Sequence, residues 1–139
     1  MKKLVFLVTL IPCFIGAQSV YRFNNYTINN GLSQSTVNTI LQDDNSALWI
    51  GTQDGLNRFD GDKFEIFNSD EEGIYNPFIT SSAKTNDGKL WFGTHNGLTE
   101  FNPSTEKFHT YTSNNKKNID ISSISIGNGV DLWVATLNQ

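Results

Sequence analysis

Histidine and cysteine, which can carry acid–base or nucleophilic chemistry and bind transition metals, are both scarce in this sequence. The 139 residues contain two histidines, His95 and His109, and one cysteine, Cys13. A zinc site uses three or four ligands, usually Cys and His at short spacings. We therefore predict no metal site here. His95 follows a short apolar run, in a loop, where it either faces a ligand or is an ordinary surface residue.

Acidic residues form two short clusters that could hold calcium or act as a general acid and base. Neither cluster has the glycine and the distal glutamate at the spacing of a calcium-binding loop, so both are interpreted as solvated turns. No nucleophile–base pair, phosphate-binding loop or pair of catalytic acids is found. We assign no catalytic, cofactor-binding or metal-binding residue, and the ligand-contacting residues stay unassigned. The clusters are Asp43, Asp44 and Asn45, and Asp60, Asp62 and Glu65.

Three tryptophans could stack on sugar rings, but their spacing favours another role. Trp49, Trp91 and Trp133 are evenly spaced along the chain. A binding site tends to break the symmetry of a repeat, whereas packing between repeats preserves it. We therefore predict that the tryptophans form the core between repeated units.

The repeat extends beyond the tryptophans. The segment LWIGTQDGLNRF, residues 48–59, returns as LWFGTHNGLTEF, residues 90–101, with seven of twelve positions identical. Val37, Ile79 and Ile121 keep the same spacing at the start of each unit. A period near forty indicates an array of identical supersecondary units.

Each unit contains the pattern of four short strands. In the first unit these are TVNTILQ, LWIGT, LNRFD and KFEIF, separated by turn residues that include Asp54-Gly55; Asn96-Gly97 takes that place in the second unit. In TVNTILQ we predict one face with Val37, Thr39 and Leu41. Four short antiparallel strands in about forty residues make one blade of a β-propeller, so the fold class is all-β.

The predicted blades and the segment before them divide the chain after residue 17 into four parts. Phe23 and Tyr26 align with Phe64 and Phe67, and Gly31 aligns with Gly73, which predicts an outer closing strand before the first blade. About two and a half blades are counted, whereas closed propellers use four to eight. We therefore expect the sequence to be the beginning of a longer protein. The parts are residues 18–35 (closing strand and linker), 36–78 (blade 1), 79–120 (blade 2) and 121–139 (partial blade 3).

Residues 1–17 have the pattern of a secretory signal peptide. Lys2 and Lys3 precede an apolar run, and Gly16-Ala17 offers a cleavage site. An uncleaved anchor and a lipid attachment at Cys13 are the alternatives; the run is short for a membrane span, and Pro12 disfavours lipid attachment. Without Lys2 and Lys3, eight basic residues face 14 acidic ones, a net charge of −6. This balance argues against a nucleic-acid partner.

The segment NNGLSQSTVNTILQDDNSALWIGTQDGLNRFDGDKFEIF resembles the two-component regulator propeller repeat, most strongly over Leu48 to Gly61. The resemblance covers nearly the whole chain after residue 17. It implies the periplasmic sensor region of a bacterial receptor, whose parent protein adds further blades, a membrane helix in the inner membrane and a cytoplasmic histidine kinase.

The resemblance also implies a small-molecule or oligosaccharide ligand, no cofactor, and a homodimer of the parent. The sensor region itself is then not an enzyme. Two alternatives stay open: part of a secreted propeller enzyme (hydrolase, lyase or quinoprotein), or a scaffold propeller without signalling output.

Overall fold

The structure is a computed structural model that describes residues 21–112, 119–128 and 131–137. The predicted signal peptide and Cys13 lie outside the described residues. The described part is all-β, with two 3-10 turns at Ile28–Asn30 and Asp70–Glu72. The prediction of antiparallel propeller blades is confirmed.

Ten strands form three antiparallel sheets. The first sheet has the order β1-β2-β3-β4, the second β5-β6-β7-β8, and the third pairs β9 with β10. We call these sheets blades 1, 2 and 3. The strands are β1 (Val37–Gln42), β2 (Leu48–Thr52), β3 (Gly55–Phe59), β4 (Phe64–Phe67), β5 (Ile79–Lys84), β6 (Leu90–Thr94), β7 (Gly97–Asn102), β8 (Lys107–Tyr111), β9 (Ile121–Gly127) and β10 (Asp131–Thr136).

The tight turns occur where the sequence predicts them, but each lies one residue earlier in the chain than predicted. Gly55 and Gly97 adopt positive φ angles of 127° and 124°. Each glycine is the first residue of its strand, because the closing pairs are Thr52 with Gly55 and Thr94 with Gly97. A side chain at Gly97 would lie 2.5 Å from the carbonyl oxygen of Tyr111, so this position needs glycine for space as well as for conformation.

A β-bulge changes the predicted face of β1. Val37 pairs with Thr52 and Thr39 pairs with Gly51, which leaves Asn38 as the extra residue. Val37 and Ile40 therefore lie on one face, where they line a common pocket, while Leu41 packs against the core on the other. The prediction that Val37, Thr39 and Leu41 share a face is wrong because strict alternation takes no account of a bulge.

The blades approach one another most closely through their first strands, so β1, β5 and β9 form the inner side of the array. The bulge residue of one blade reaches the next: Asn38 Nδ2 donates to the carbonyl oxygen of Ile79 at 2.7 Å, and Thr80 Oγ1 donates to that of Ile121 at 2.6 Å. The same contact one repeat apart shows that successive blades stack in the same way.

Trp49 occupies the centre of the core between blades 1 and 2. Its side chain is fully buried and contacts the rings of Phe92 and Phe101, with centroids 5.8 and 4.6 Å away. Its Nε1 donates to Asp43 Oδ2 at 2.9 Å, which satisfies the buried indole nitrogen. The predicted core role of this tryptophan is confirmed.

The other two tryptophans occupy the same position in their blades but differ in exposure. Trp91 stacks on Tyr111 and packs against a cluster that contains Ile121 and Ile124 of blade 3. Trp133 is 69 % exposed on blade 3. Burial of the repeated tryptophan therefore depends on the blade stacked against it.

Residues 21–27 have no regular secondary structure and precede the first 3-10 turn. The predicted alignment of Gly31 with Gly73 is matched in space, because each follows a 3-10 turn with a positive φ angle. Tyr26 packs on Phe59 and Phe64 of blade 1, with centroids 4.9 and 5.8 Å away. The closing-strand role and the blade boundaries at 18–35, 36–78, 79–120 and 121–139 stay predictions.

Candidate functional site

Two kinds of segment lie together at one rim of the blades. They are the loops between the second and third strands and the segments that precede the first strands. The backbone N–H of Gly55 donates to the carbonyl oxygen of Pro77 at 2.8 Å, and that of Gly97 donates to the oxygen of Ile119 at 2.9 Å. These bonds hold each loop against the entry to the next blade. Side chains that are distant in sequence meet at this rim.

His95, Phe78 and Asp120 form the centre of this rim. The rings of His95 and Phe78 are 4.1 Å apart in an edge-on arrangement, and His95 Nδ1 lies 3.4 Å from Asp120 Oδ2. The side chain of Asp120 is 16 % exposed. Its Oδ1 atom is buried and has no hydrogen-bond partner among the described residues. A buried carboxylate oxygen without a hydrogen-bond partner is unusual in a folded protein.

These three residues line an open pocket of about 320 Å³ between the blades. Asn38, Thr80 and Ser122, the bulge residues of the three blades, also line it. The pocket thus combines an aromatic ring, an imidazole, a carboxylate, an amide and hydroxyl groups. No Lys or Arg side chain is among the described residues that line it.

The internal repeat separates packing positions from positions at this pocket. Two of the pocket positions, one at the entry to each blade and one in the loop between its second and third strands, differ in all three blades, whereas the tryptophan of each blade is constant. In blades 1, 2 and 3 in turn, the residue before the first strand is Thr36, Phe78 and Asp120. The residue after the second strand is Gln53, His95 and Leu137. Sequence reasoning singled out His95 but missed Phe78 and Asp120. The signal that could have found them is this change of residue type at equivalent positions of the repeat.

The remaining candidate residues do not join the pocket. His109 lies on β8, the outermost strand of blade 2, and packs edge-on against Tyr111. Asp43 is buried rather than solvated, and its Oδ1 accepts the backbone N–H groups of Asn45 and Ala47, both at 2.9 Å. Its other oxygen, Oδ2, accepts the indole N–H of Trp49. Asp43 therefore stabilises a turn.

The second acidic cluster is also a turn. Asp60 Oδ1 accepts the backbone N–H groups of Lys63 and Asp62 at 2.9 Å each, and these bonds hold the pKa of Asp60 below its ordinary value. Its neighbour Glu65 forms only a loose ion pair with Arg58, at 3.8 Å. In the described part of the chain, no group of three potential metal ligands occurs.

A second polar cluster lies on the outer half of blade 2. Glu100 is buried, accepts the hydroxyl of Tyr111 at 2.9 Å and pairs with Lys89 at 2.8 Å. The hydrogen bonds to Glu100 raise the pKa of both Tyr111 and Lys89. All three side chains satisfy one another, so this cluster stabilises the blade.

The stacked antiparallel sheets define the blades of a β-propeller, and an open pocket lies at their rim. The family model described as "Two component regulator propeller" matches residues 31–54 and 73–96. These two segments match the two-component regulator propeller repeat, which confirms the resemblance predicted from the sequence. In the described residues, no helix has the length and apolar character required to cross a membrane.

A known protein is similar to this chain in sequence. "Histidine kinase P4" of Formosa agariphila is 44 % identical over 69 residues, which are 49 % of this chain and 5 % of that protein. The chain thus spans a small part of this relative.

Solved structures of extracellular domains share the fold. That of the putative hybrid two component system BT3049 from B. thetaiotaomicron has a TM-score of 0.66 at 24 % identity, over 84 % of this chain and 16 % of that one. That of BT4673 from the same organism, described once as a one component and once as a hybrid two component system, has a TM-score of 0.63 at 26 % identity. It covers 73 % of this chain and 14 % of that one.

Proposed function

We propose that the chain is the periplasmic ligand-sensing region of a two-component receptor, and that the rim pocket between blades 2 and 3 takes part in binding a neutral oligosaccharide. The observation that carries the proposal is a pocket whose entry and loop residues change from blade to blade on a repeated scaffold. The two-component regulator propeller repeats and the similar extracellular domain of BT4673 support the sensory role and the location.

The chemistry of the pocket suits a hydroxyl-rich ligand. Sugar hydroxyls would donate to the carboxylate of Asp120, whose side chain is 16 % exposed, and His95 and Asn38 offer further polar contacts. Phe78 provides apolar surface for the ring carbons. The absence of lysine and arginine from the described lining disfavours an anionic ligand, because an unpaired carboxylate beside Asp120 would be repelled.

Binding would transmit a signal only through differential affinity. A ligand shifts a receptor between two arrangements by the difference in its affinity for them. A site in which one blade supplies Asp120 and another His95 meets this condition, because its geometry changes whenever the two blades move relative to each other. The kinase that would respond belongs to the proposed parent protein.

Calorimetric titration of the chain with neutral xylo-, cello- and laminari-oligosaccharides, and with acidic oligogalacturonates, tests the proposal. We expect a neutral ligand to bind, and Asp120→Ala to weaken it about tenfold or more, since a hydrogen bond to a charged group contributes about 1.5–3 kcal/mol. His109→Ala, which removes the histidine outside the pocket, is the matched control and should bind as the wild type does. Equal binding by Asp120→Ala and the wild type would refute the assignment of the pocket.

The same titration distinguishes a sensor from the two alternatives, a secreted propeller enzyme and a scaffold propeller. Products released from the bound oligosaccharide would indicate an enzyme, and failure of every oligosaccharide to bind would favour a scaffold role.

A further inference from the structure

The residue that precedes the first strand is held by a nearby side chain in the same way in blades 1 and 2. In blade 2, Asn76 Oδ1 accepts the backbone N–H of Phe78 at 2.9 Å. In blade 1, Gln34 Oε1 accepts the backbone N–H of Thr36. In both blades an amide side chain therefore binds the N–H group two residues later. We call Gln34 and Asn76 the frame amides.

The frame amides recur with the repeat, whereas the residue that they hold does not. Gln34 and Asn76 lie one repeat period apart, and one period further the sequence has another amide, Asn118, which lies outside the described residues. The residue two positions later changes from Thr to Phe to Asp. A constant amide beside a variable residue indicates that the amide fixes the backbone, while the variable side chain supplies the chemistry.

Two further restraints act on Phe78. Pro77, which lies between Asn76 and Phe78, has a fixed φ angle and keeps Asn76 out of the helical conformation. The carbonyl oxygen of Pro77 accepts the backbone N–H of Gly55 from blade 1 at 2.8 Å. The peptide groups on both sides of Pro77 are thus restrained, and they determine the direction in which the Phe78 side chain leaves the backbone.

The Phe78 ring is the link between this frame and the rim pocket. It contacts the ring of His95, with centroids 4.1 Å apart, and both side chains line the pocket. Asn76 is not among the residues of the lining. Any effect of the Asn76 side chain on the pocket therefore passes through the position of Phe78.

We propose that Asn76 is a positioning residue of the rim pocket. Its hydrogen bond to the Phe78 backbone keeps the Phe78 ring against His95 and so presets the apolar surface of the site. The link to affinity rests on the proposed function of the pocket. Without this bond Phe78 populates other positions, and the apparent affinity falls with the fraction of molecules in the binding-competent arrangement.

The ring contact can be measured without any ligand. The chain has only two histidines, so their ring-proton NMR signals can be assigned, and the ring current of Phe78 shifts those of His95. We expect Asn76→Ala to move the His95 signals toward their positions in Phe78→Ala. Asn76→Asp should keep them near the wild-type positions, because an aspartate also accepts the N–H two residues later. The signals of His109, which lies outside the pocket, should not move.

The effect on affinity is measured by calorimetric titration with neutral xylo-, cello- and laminari-oligosaccharides. For a saccharide that the wild type binds, Asn76→Ala should weaken binding about three- to tenfold, as expected from the loss of one hydrogen bond that holds the competent arrangement. Asn76→Asp should restore the affinity.

Gln34→Ala is the matched control. It removes the same contact from blade 1, where neither Gln34 nor Thr36 lines the pocket. This variant should bind as the wild type does and leave the His95 signals in place, although its urea midpoint falls as that of Asn76→Ala does.

Three results would overturn the proposal. They are unchanged His95 signals in Asn76→Ala, wild-type affinity in an Asn76→Ala variant whose His95 signals have moved, and a loss of affinity in Gln34→Ala as large as in Asn76→Ala. If no oligosaccharide binds the wild type, the proposed function fails, and the His95 signals alone decide whether Asn76 positions Phe78.

Discussion

A methyl group added at Gly51 should reveal whether blades 1 and 2 stack as described. Gly51 lies on β2, and an alanine Cβ there would lie 2.5 Å from Ile79 Cγ2 of blade 2 and 2.7 Å from Thr39 Cγ2. Without these neighbours, Gly51→Ala would stabilise the fold by about 0.4–1 kcal/mol, because alanine lowers the entropy of the unfolded chain. Overpacking of this kind costs about 1–3 kcal/mol, so the net effect of Gly51→Ala should be destabilising.

We expect Gly51→Ala to lower the free energy of unfolding by about 1–2 kcal/mol in urea titrations, with an unchanged m-value. Ala135 provides a matched control, because it occupies the equivalent position on blade 3, where it is exposed and alanine is the native residue. Ala135→Gly should cost only about 0.5–1 kcal/mol, through chain entropy.

A double-mutant cycle with Ile79→Ala locates the cause. Removal of Cγ2 from Ile79 should relieve part of the clash, so the double variant should be more stable than the sum of the single effects predicts, by roughly 1 kcal/mol. If Gly51→Ala were neutral or stabilising, or if the two changes were additive, the described contact between blades 1 and 2 would be wrong.

Two further predictions concern aromatic residues. Trp49→Ala should lower the free energy of unfolding by about 3–5 kcal/mol, whereas Trp133→Ala should change it by less than about 0.5 kcal/mol. Similar losses in urea titrations would contradict the exposures described. Because the pKa of Tyr111 is raised in the fold, its contribution to stability is complete below its ordinary value near 10 and is lost as the pH rises through the raised value. The urea midpoint should therefore fall less between pH 9 and 11.5 in Tyr111→Phe than in the wild type, although Lys89 adds a loss in the same direction to both. Parallel profiles would argue against the bond to Glu100.

The strands and turns could be predicted because their signals are local. The turn glycines Gly55 and Gly97 belong to segments a few residues long, and the copies of each segment recur at a constant period. The β-bulge at Asn38 could not be predicted, since nothing in TVNTILQ distinguishes a bulge from strict alternation. It is decided by contact with blade 2, where Asn38 Nδ2 binds the carbonyl oxygen of Ile79.

The candidate site was only half predictable for the same reason. His95 stood out because histidine is scarce and its loop position does not repeat. Asp120, which comes much later in the chain, gave no local signal, and the two side chains meet only because Gly97 and Ile119 tie the loop of one blade to the entry of the next. The environment of Asp43 was missed likewise: the turn was predicted, but the indole that buries its carboxylate comes from a strand that folds back over it.

By itself the sequence determined the repeated unit: four short strands, the turns between them and a tryptophan at one position in each, because side-chain alternation and turn chemistry act over a few residues. Only the tertiary structure decided what each copy of that tryptophan does. Trp49 is buried, Trp91 is partly covered and Trp133 is exposed, although their local sequences are nearly the same. The physical reason is that burial belongs to the interface between two blades, so identical residues have different energies according to the neighbour stacked against them.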